Sequence, residues 1–468
     1  MAVHLPDLTT AFYVLEWIIR LGALGVVPLR RSPTAASAWL LLIFFLPLPG
    51  LALFLAVGSP RYPRWRQQRF AELGPYFTAV ARQIEPFAPP EDGQRAAAAL
   101  ARTLGGMPAT AGNAIELIDG YDQVIERLVV DIEGARQYVH VLVYIFADDP
   151  VGTSVADALG RAVARGVECR VMFDPVGSHH WRRGTLRMLR AAGVEVREAL
   201  PLHWLRGRTR RDMRNHRKLC VIDGTVGYAG SQNIVGKDFR PGVINRELVA
   251  RVKGPVVSSL DAVVRGDWSL ETSTPPTLPP QPRTAGTAMA QLLPSGADYP
   301  LEGFETLLVW QLHQAQRRAI IVTPYFIPDE AVLSAMRTAV RRGVAVDLIV
   351  SEVVDQWLVN AAQASYYEEL LSAGVGVSMF RGYLLHAKNV SIDDRLAVLG
   401  SSNVDLRSFQ LNQEVSLLLH DPATIASLKA IQDGYLEGSD RLVLETWLQR
   451  PTTRKLLENS ARMISSLL

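Results

Sequence analysis

The chain has 468 residues, 48% of them hydrophobic and 20% charged, with a net charge of +3. This is the composition of an ordinary folded protein, long enough for two or three domains. The mild excess of positive charge argues only faintly for an anionic partner and does not separate phospholipid from nucleic acid. Its two cysteines, Cys169 and Cys220, stand far apart in apolar contexts. That excludes a disulfide framework and fits buried thiols facing a reducing compartment.

Taken in order, residues 10 to 29 are apolar apart from Glu16 and Arg20, and Ala35 to Val57 (AASAWLLLIFFLPLPGLALFLAV) carries no charge. About 20 apolar residues suffice to cross a bilayer as a helix, and Pro47 and Pro49 are tolerated better there than in a soluble helix. Glu16 and Arg20 lie four apart, so a helix puts them on one face where they neutralise each other. A cleaved signal sequence fits poorly, because no basic leader precedes the first run and a second follows. The expectation is a membrane hairpin over residues 1–60. Arg30 and Arg31 lie between the spans, whereas Arg61, Arg64, Arg66 and Arg69 follow the second; the heavier cluster should stay cytoplasmic. Residues 61–107 read as a juxtamembrane linker.

From about residue 108 the chain reads as two α/β halves, 108–271 and 291–468. Tyr138 to Phe146 (YVHVLVYIF) has the pattern of a buried strand, Ser154 to Arg165 that of an amphipathic helix, and Cys169 to Phe173 that of a second strand. Ala319 to Ile327, Asp329 to Arg342 and Val346 to Val350 repeat the series. Arg165-Gly166-Val167 returns as Arg342-Gly343-Val344. Strands alternating with helices predict a mostly parallel sheet in each half, with active residues at strand ends. Residues 272–290, rich in proline and threonine, read as an extended linker. Halves joined in this way can pack about a pseudo-two-fold axis.

The repeat carries chemistry. His216, Lys218 and Asp223 recur as His386, Lys388 and Asp393, 170 positions on. In each copy a Gly-Ser-x-Asn stretch follows, with Ser231 and Ser401 fifteen positions after their histidines, and Asn233 and Asn403 beyond them. Lysines make poor metal ligands, so no metal or other cofactor is expected. They make good phosphate ligands: Lys218 and Lys388 would bring positive charge to phosphate oxygens, and Ser231, Asn233, Ser401 and Asn403 neutral donors. A neutral imidazole can attack phosphorus, and a second, protonated one can serve the leaving and entering oxygens. Each histidine needs an orienting acceptor. Glu247, 31 positions after His216, and Glu414, 28 after His386, are the candidates. Asp223 and Asp393, which complete each motif, are expected to hold its turn together more than to touch substrate.

On these residues the chain resembles the phospholipase D superfamily, and more closely its bacterial cardiolipin synthases. The resemblance runs over nearly the whole chain and includes the hairpin, both HxKxxxxD motifs and the Arg450-Pro451 segment. The sequence departs from the pattern at Arg217 and Cys220, and in reading Gly230-Ser231-Gln232-Asn233 where many relatives carry a second glycine. The resemblance implies two phospholipase D-like α/β/α halves behind a transmembrane hairpin. It implies transfer of a phosphatidyl group between two phosphatidylglycerols with release of glycerol, in a multi-pass protein of the cell membrane. One of His216 and His386 would form the covalent intermediate and the other act as acid and base, with His216 preferred as nucleophile. A phospholipase D-type hydrolase or nuclease, with water as acceptor, is the alternative. Nucleic acid as a partner would call for a more basic chain with aromatics along a groove, and would leave the hairpin without a use. Self-association has no signal in the sequence.

Three further stretches carry expectations. Arg206, Arg208, Arg210, Arg211, Arg214 and Arg217, behind Trp204 and Leu205, form either a solvated loop or a patch facing lipid headgroups. His179-His180 reads as a polar loop and not a metal site. Leu456, Leu457, Ala461, Ile464 and Leu468 share one face of a C-terminal helix, expected to pack on the domain.

Overall fold

The computed structural model describes residues 8–31, 33–58, 62–89, 95–201, 212–299 and 302–464. Arg61, Leu468, and Trp204, Leu205, Arg206, Arg208, Arg210 and Arg211 of the basic run lie outside the described residues.

At the N-terminal end, the helix Leu8–Arg30 is long and apolar enough to cross a membrane. The stretch expected to form a second span is broken into two helices, Pro33–Phe45 and Pro47–Val57. Pro47 has no N–H to give to the preceding turn, and its ring collides with the carbonyl four residues back, so the helix stops at Leu46. At ~1.5 Å per residue each piece falls short of the ~30 Å hydrocarbon layer. Their close approach depends on Gly50, where a Cβ would lie 2.9 Å from the Ile43 Cα. Arg20 donates from Nε to the Phe44 carbonyl at the break (3.1 Å), and from Nη2 to Glu16 (3.1 Å). Ile19, Val27, Trp39, Ile43 and Phe54 form the inner contacts, while Phe12, Ile18, Leu21 and Leu29 face outward.

The described residues of 61–107 are largely helical and not an extended linker. They include three α-helices, Arg64–Glu72, Gly74–Ile84 and Arg95–Gly105, the first two formed because Phe70, Leu73, Phe77, Val80 and Ile84 recur at helical spacing and find partners. Val80 and Met107 pack on Ala262, and Ala101 and Leu104 on Leu293 and Phe304. Arg66, expected as a membrane-flanking charge, is buried between Glu271 (2.9 Å) and Asp298 (3.3 Å). The helix Arg64–Glu72 is thereby fixed to the body of the protein.

In the first half the strands are β1 Thr110–Ile118, β2 Tyr138–Val143, β3 Glu168–Phe173, β4 Glu195–Glu198, β5 Leu219–Ile222, β6 Val226–Gly230, β7 Asn245–Arg246 and β8 Val249–Lys253. The second half begins with β9 Ala288–Ser295, β10 Arg318–Val322, β11 Phe326–Ile327, β12 Ala345–Ser351, β13 Gly376–Phe380 and β14 Leu384–Leu385. It continues with β15 Asn389–Ile392, β16 Leu396–Gly400, β17 Val404–Asp405, β18 Glu414–Leu419 and β19 Ser439–Arg441. Fifteen strands make one sheet in the order β19-β13-β12-β10-β15-β16-β18-β9-β1-β8-β6-β5-β2-β3-β4. The first half's seven sheet strands, read inward from β4, stand in the same order as the second half's, read inward from β13.

The sheet is mixed, not mostly parallel. Only β2, β3 and β4, and β10, β12 and β13, run parallel to their neighbours; helices connect them. The rest pair antiparallel. The connections β5–β6 and β15–β16 span three residues each, far too few for the crossover that a parallel pair requires. β1 and β9 join the halves edge to edge. The helices Val256–Thr272 and Pro422–Glu437 cover one face of the sheet, with Leu260, Val263, Leu428 and Tyr435 in a core that runs across both halves. Cys169 and Cys220 are free and buried on the opposite face.

The C-terminal helix Thr452–Ile464 packs on the helix Trp357–Ala364, as expected, but the two leucines of the expected face do not take part. Ala461 and Glu458 are buried, Glu458 paired with Arg450 (2.7 Å), whereas Leu456 and Leu457 are exposed. A buried ion pair and a small alanine let the helices approach, and the leucines are left outside.

Candidate active site

Two short strands place the histidines. β7 pairs in parallel with β14, so Asn245 lies beside Leu384 and Arg246 beside Leu385. The His386 N–H donates to the Arg246 carbonyl (2.8 Å). Across the cleft, Asn215 bridges to Gln413, and the His216 N–H donates to the Gln413 carbonyl (2.9 Å). Each histidine is thus held by backbone from the other half. Both line one cleft of about 380 Å³.

The glutamates follow the same exchange. His216 Nδ1 lies 2.9 and 3.1 Å from the two carboxylate oxygens of Glu414, and His386 Nδ1 lies 2.7 Å from Glu247. Proximity in sequence pairs Glu247 with His216 and Glu414 with His386; the fold reverses both assignments. With Nδ1 engaged as donor to a carboxylate, each ring keeps its lone pair on Nε2. Tyr144 stands edge-on to His216, with ring centroids 5.0 Å apart, and Tyr325 to His386 at 6.3 Å.

Burial sets the electrostatics. It pushes His216 below its ordinary value, with Glu414 pulling back and Lys218 and Lys388 pushing the same way as burial. The same causes, with Glu247 as the opposing carboxylate, bring His386 down to about 3. Burial also lowers Lys218 to about 7 and Lys388 to about 8, each ammonium further disfavoured by a nearby cation and favoured by Glu247 and Glu414. Burial alone would raise the two glutamates, but the histidines and lysines hold both below the usual carboxylate range. Lys218 Nζ and Lys388 Nζ each donate to the carbonyl of the histidine two residues back (2.5 Å).

Asn233 and Asn403 line the cleft with the histidines. The serines do not. Ser401 donates to Glu414 (2.5 Å), and Ser231 is bound to the backbone of Leu248. Both are fully buried, so they steady the strand that bears the glutamate and do not face a ligand. Asp223 and Asp393 lie at the far ends of β5 and β15, beyond reach of the cleft. Asp223 accepts the N–H groups of Arg136, Gln137 and Tyr138, and Asp393 those of Gln316, Arg317 and Arg318. Each has a φ of 52°, a left-handed conformation that aspartate tolerates because its carboxylate bonds locally. They pin neighbouring chain segments and do not touch the reacting atoms.

The basic run contributes structure where it is described. Arg214 donates to Asp174 (2.9 Å) and Arg217 to Asp267 (2.6 Å), and both are buried. His179 and His180 stack on one another in an exposed loop, and among the described residues no group of three or more His, Cys, Asp or Glu is placed to hold a metal. Arg214, of the basic run, lines the cleft, as do Tyr144, Tyr325, Arg240 and Arg407, to which the sequence assigned no role. The recurrence of tyrosine in Tyr144-Ile145-Phe146 and Tyr325-Phe326-Ile327 was the available signal for the tyrosines. For Arg240 and Arg407 there was none.

The model of the family described as cardiolipin synthase, PLD-like domain, matches residues 128–268 and again 308–433. The chain belongs to this family. Cardiolipin synthase A of Klebsiella pneumoniae strain 342 is 33% identical to it over 489 aligned positions, covering 98% of this chain and all of that one. The enzyme of the same name from Pectobacterium carotovorum subsp. carotovorum strain PC1 is 32% identical, with the same coverage. Among solved structures, phosphatidylserine synthase from Haemophilus influenzae Rd KW20 superposes with a TM-score of 0.58 at 16% identity, over 80% of this chain and 98% of that one. At that identity the likeness is one of fold. The two segments matched by the family model each hold one histidine of the cleft.

Proposed function

We propose that the protein is a cardiolipin synthase: a phosphatidyltransferase that joins two phosphatidylglycerols and releases glycerol. The observation that carries this is the pair of His–Glu dyads, exchanged between the halves and opening on one cleft, in a chain a third identical to cardiolipin synthases along its whole length. Nε2 of one histidine, His216 by preference, attacks phosphorus of the donor. The bond from phosphorus to the glycerol oxygen breaks, and that oxygen takes the Nε2 proton of the other imidazole, which enters the step as the imidazolium beside its glutamate and the anionic phosphodiester. A hydroxyl of the second phosphatidylglycerol then gives its proton to this imidazole and attacks phosphorus, and the P–N bond breaks. The glutamate behind each ring fixes its tautomer and stabilises the imidazolium. Lys218, Lys388, Asn233 and Asn403 neutralise and hold the phosphate oxygens.

The mirrored strand order and the two family matches support a duplicated module packed about a pseudo-two-fold axis. Residues 8–57 support a membrane hairpin in which Leu8–Arg30 spans the bilayer and the broken second segment returns beside it, with Arg20 capping the break. The catalytic body then lies on the cytoplasmic side of the cell membrane, and the acyl chains of its anionic substrate stay in the bilayer.

The test is incubation of the full chain, in vesicles, with radiolabelled phosphatidylglycerol. Cardiolipin and glycerol are expected; phosphatidic acid and glycerol as the only products would mean that water is the acceptor. His216→Ala and His386→Ala should each lower turnover by about four to six orders of magnitude, as removal of a nucleophile or its base does.

A further inference from the structure

Asn245 and Asn412 occupy equivalent places in the two halves, each two residues before the glutamate that orients a histidine. Both are more than nine-tenths buried, both line the cleft, and the Oδ1 of each has no hydrogen-bond partner. A buried acceptor left unpaired is costly, so two of them facing one cavity mark places where a ligand supplies the donor. The oxygen of a phosphodiester has no proton to give, so a phosphate held by the NH2 of Asn403 leaves these two amide oxygens, like that of Asn403 itself, unpaired. An ammonium could donate, but Arg214, Arg240 and Arg407 line the same cleft against one lining carboxylate, Asp405. Even with Asp174 and Asp355 paired to Arg214 and Arg240, the excess of guanidinium on the cleft wall disfavours a cationic headgroup. A neutral hydroxyl meets both conditions.

We propose that Asn245 and Asn412 are specificity-determining residues that accept hydrogen bonds from the hydroxyls of glycerol headgroups. The proposal rests on the phosphatidyl-transfer reading and extends it to the choice of headgroup. The backbone explains the placement. Asn245 lies beside the strand that enters His386, and Asn412 precedes the Gln413 that holds His216. A headgroup alcohol whose proton passes to or from either ring therefore has an amide oxygen from the same strand pair to hold its second hydroxyl. Ethanolamine and serine headgroups bring a cation where these sites call for a neutral donor, and a simple alkyl headgroup leaves the amides unpaired.

The test compares two donors in vesicles, phosphatidylglycerol and phosphatidyl-1-propanol, which lacks headgroup hydroxyls, by the rates at which a single turnover releases glycerol or propanol, a step that needs no acceptor. The unaltered full-length protein should favour phosphatidylglycerol at least tenfold. Asn245→Ala and Asn412→Ala should each reduce that preference about two- to tenfold, as expected for one neutral hydrogen bond. They should do so by slowing phosphatidylglycerol while leaving phosphatidylpropanol unchanged. Equal slowing on both lipids would overturn the proposal, because a structural role has that signature. So would an unaltered protein that does not discriminate, a result independent of whether the variants fold. Failure of the unaltered protein to make any cardiolipin would instead strike the transfer reading itself.

Discussion

Replacing Glu414 by glutamine tests the exchanged dyad. The carboxylate takes the Nδ1 proton of His216 at 2.9 and 3.1 Å and accepts from Ser401 (2.5 Å) and Ser408 (3.0 Å). A glutamine fits the same volume. Its oxygen can stay toward His216, while its NH2 meets a serine hydroxyl that turns to accept, so the fold and the tautomer survive. What is lost is the charge facing an imidazolium. Two unit charges ~4 Å apart interact by about 4 kcal/mol at an effective dielectric of 20. Replacing a charged hydrogen bond by a neutral one costs about 1–2 kcal/mol. Taking these as bounds, kcat should fall ~5- to 900-fold, since 1.36 kcal/mol is tenfold. KM should move little. Cardiolipin formation from labelled phosphatidylglycerol measures this, with a thermal melt as the control for folding. The pairing has its own readout: in protein labelled with ¹⁵N-histidine, Glu414→Gln should lower the titration midpoint of His216 and leave His386 in place, and Glu247→Gln should do the reverse. A kcat within threefold of the unaltered protein at an unchanged melting temperature would refute the reasoning. A shift of His386 caused by Glu414→Gln would refute the pairing.

Two further outcomes follow from the charges. Lys218 at about 7 and Lys388 at about 8 must be cationic to hold a phosphodiester, while burial pushes both imidazoles below their ordinary value. In a pH profile, kcat/KM should therefore decline as pH rises through 7 to 8; a profile that climbs steadily from pH 6 to 9 would contradict this. Asp393→Asn weakens the acceptor of three backbone N–H groups and should cost about 2–3 kcal/mol of stability without altering kcat at 25 °C. The carboxyl of Asp393 is held below its ordinary 3.8 by those N–H groups and Arg395, against burial, which raises it. Its contribution is thus complete above about pH 4 and is lost as pH falls through the lower folded value. The deficit of the variant in a thermal melt should shrink accordingly in acid.

Much of the candidate site was legible before folding was considered. The motif at His216 and its copy at His386 pointed to phosphate chemistry, because two histidines and two lysines at matched spacing suit a phosphoryl group. Asp223 and Asp393 were legible as turn residues, since each ends an apolar run. Less was visible at Ser231 and Ser401. A hydroxyl beside a motif is as able to bind a carboxylate or a backbone group as a phosphate, and only the position of Glu414 shows which Ser401 does. The broken second span hid in plain composition: hydropathy counts apolar residues, and Pro47 acts on backbone geometry. Arg66 read as a surface charge because its partners, Glu271 and Asp298, lie more than 200 positions away.

Residue order alone carried the repeated motif, the candidate site residues and the apolar N-terminal end, for these depend on side-chain type and local spacing. The tertiary structure decided which glutamate serves which histidine. β7 lies against β14, and Asn215 against Gln413, so each half closes the other's site. A strand register across an interface is set by the packing of two whole modules, and no spacing within either one encodes it.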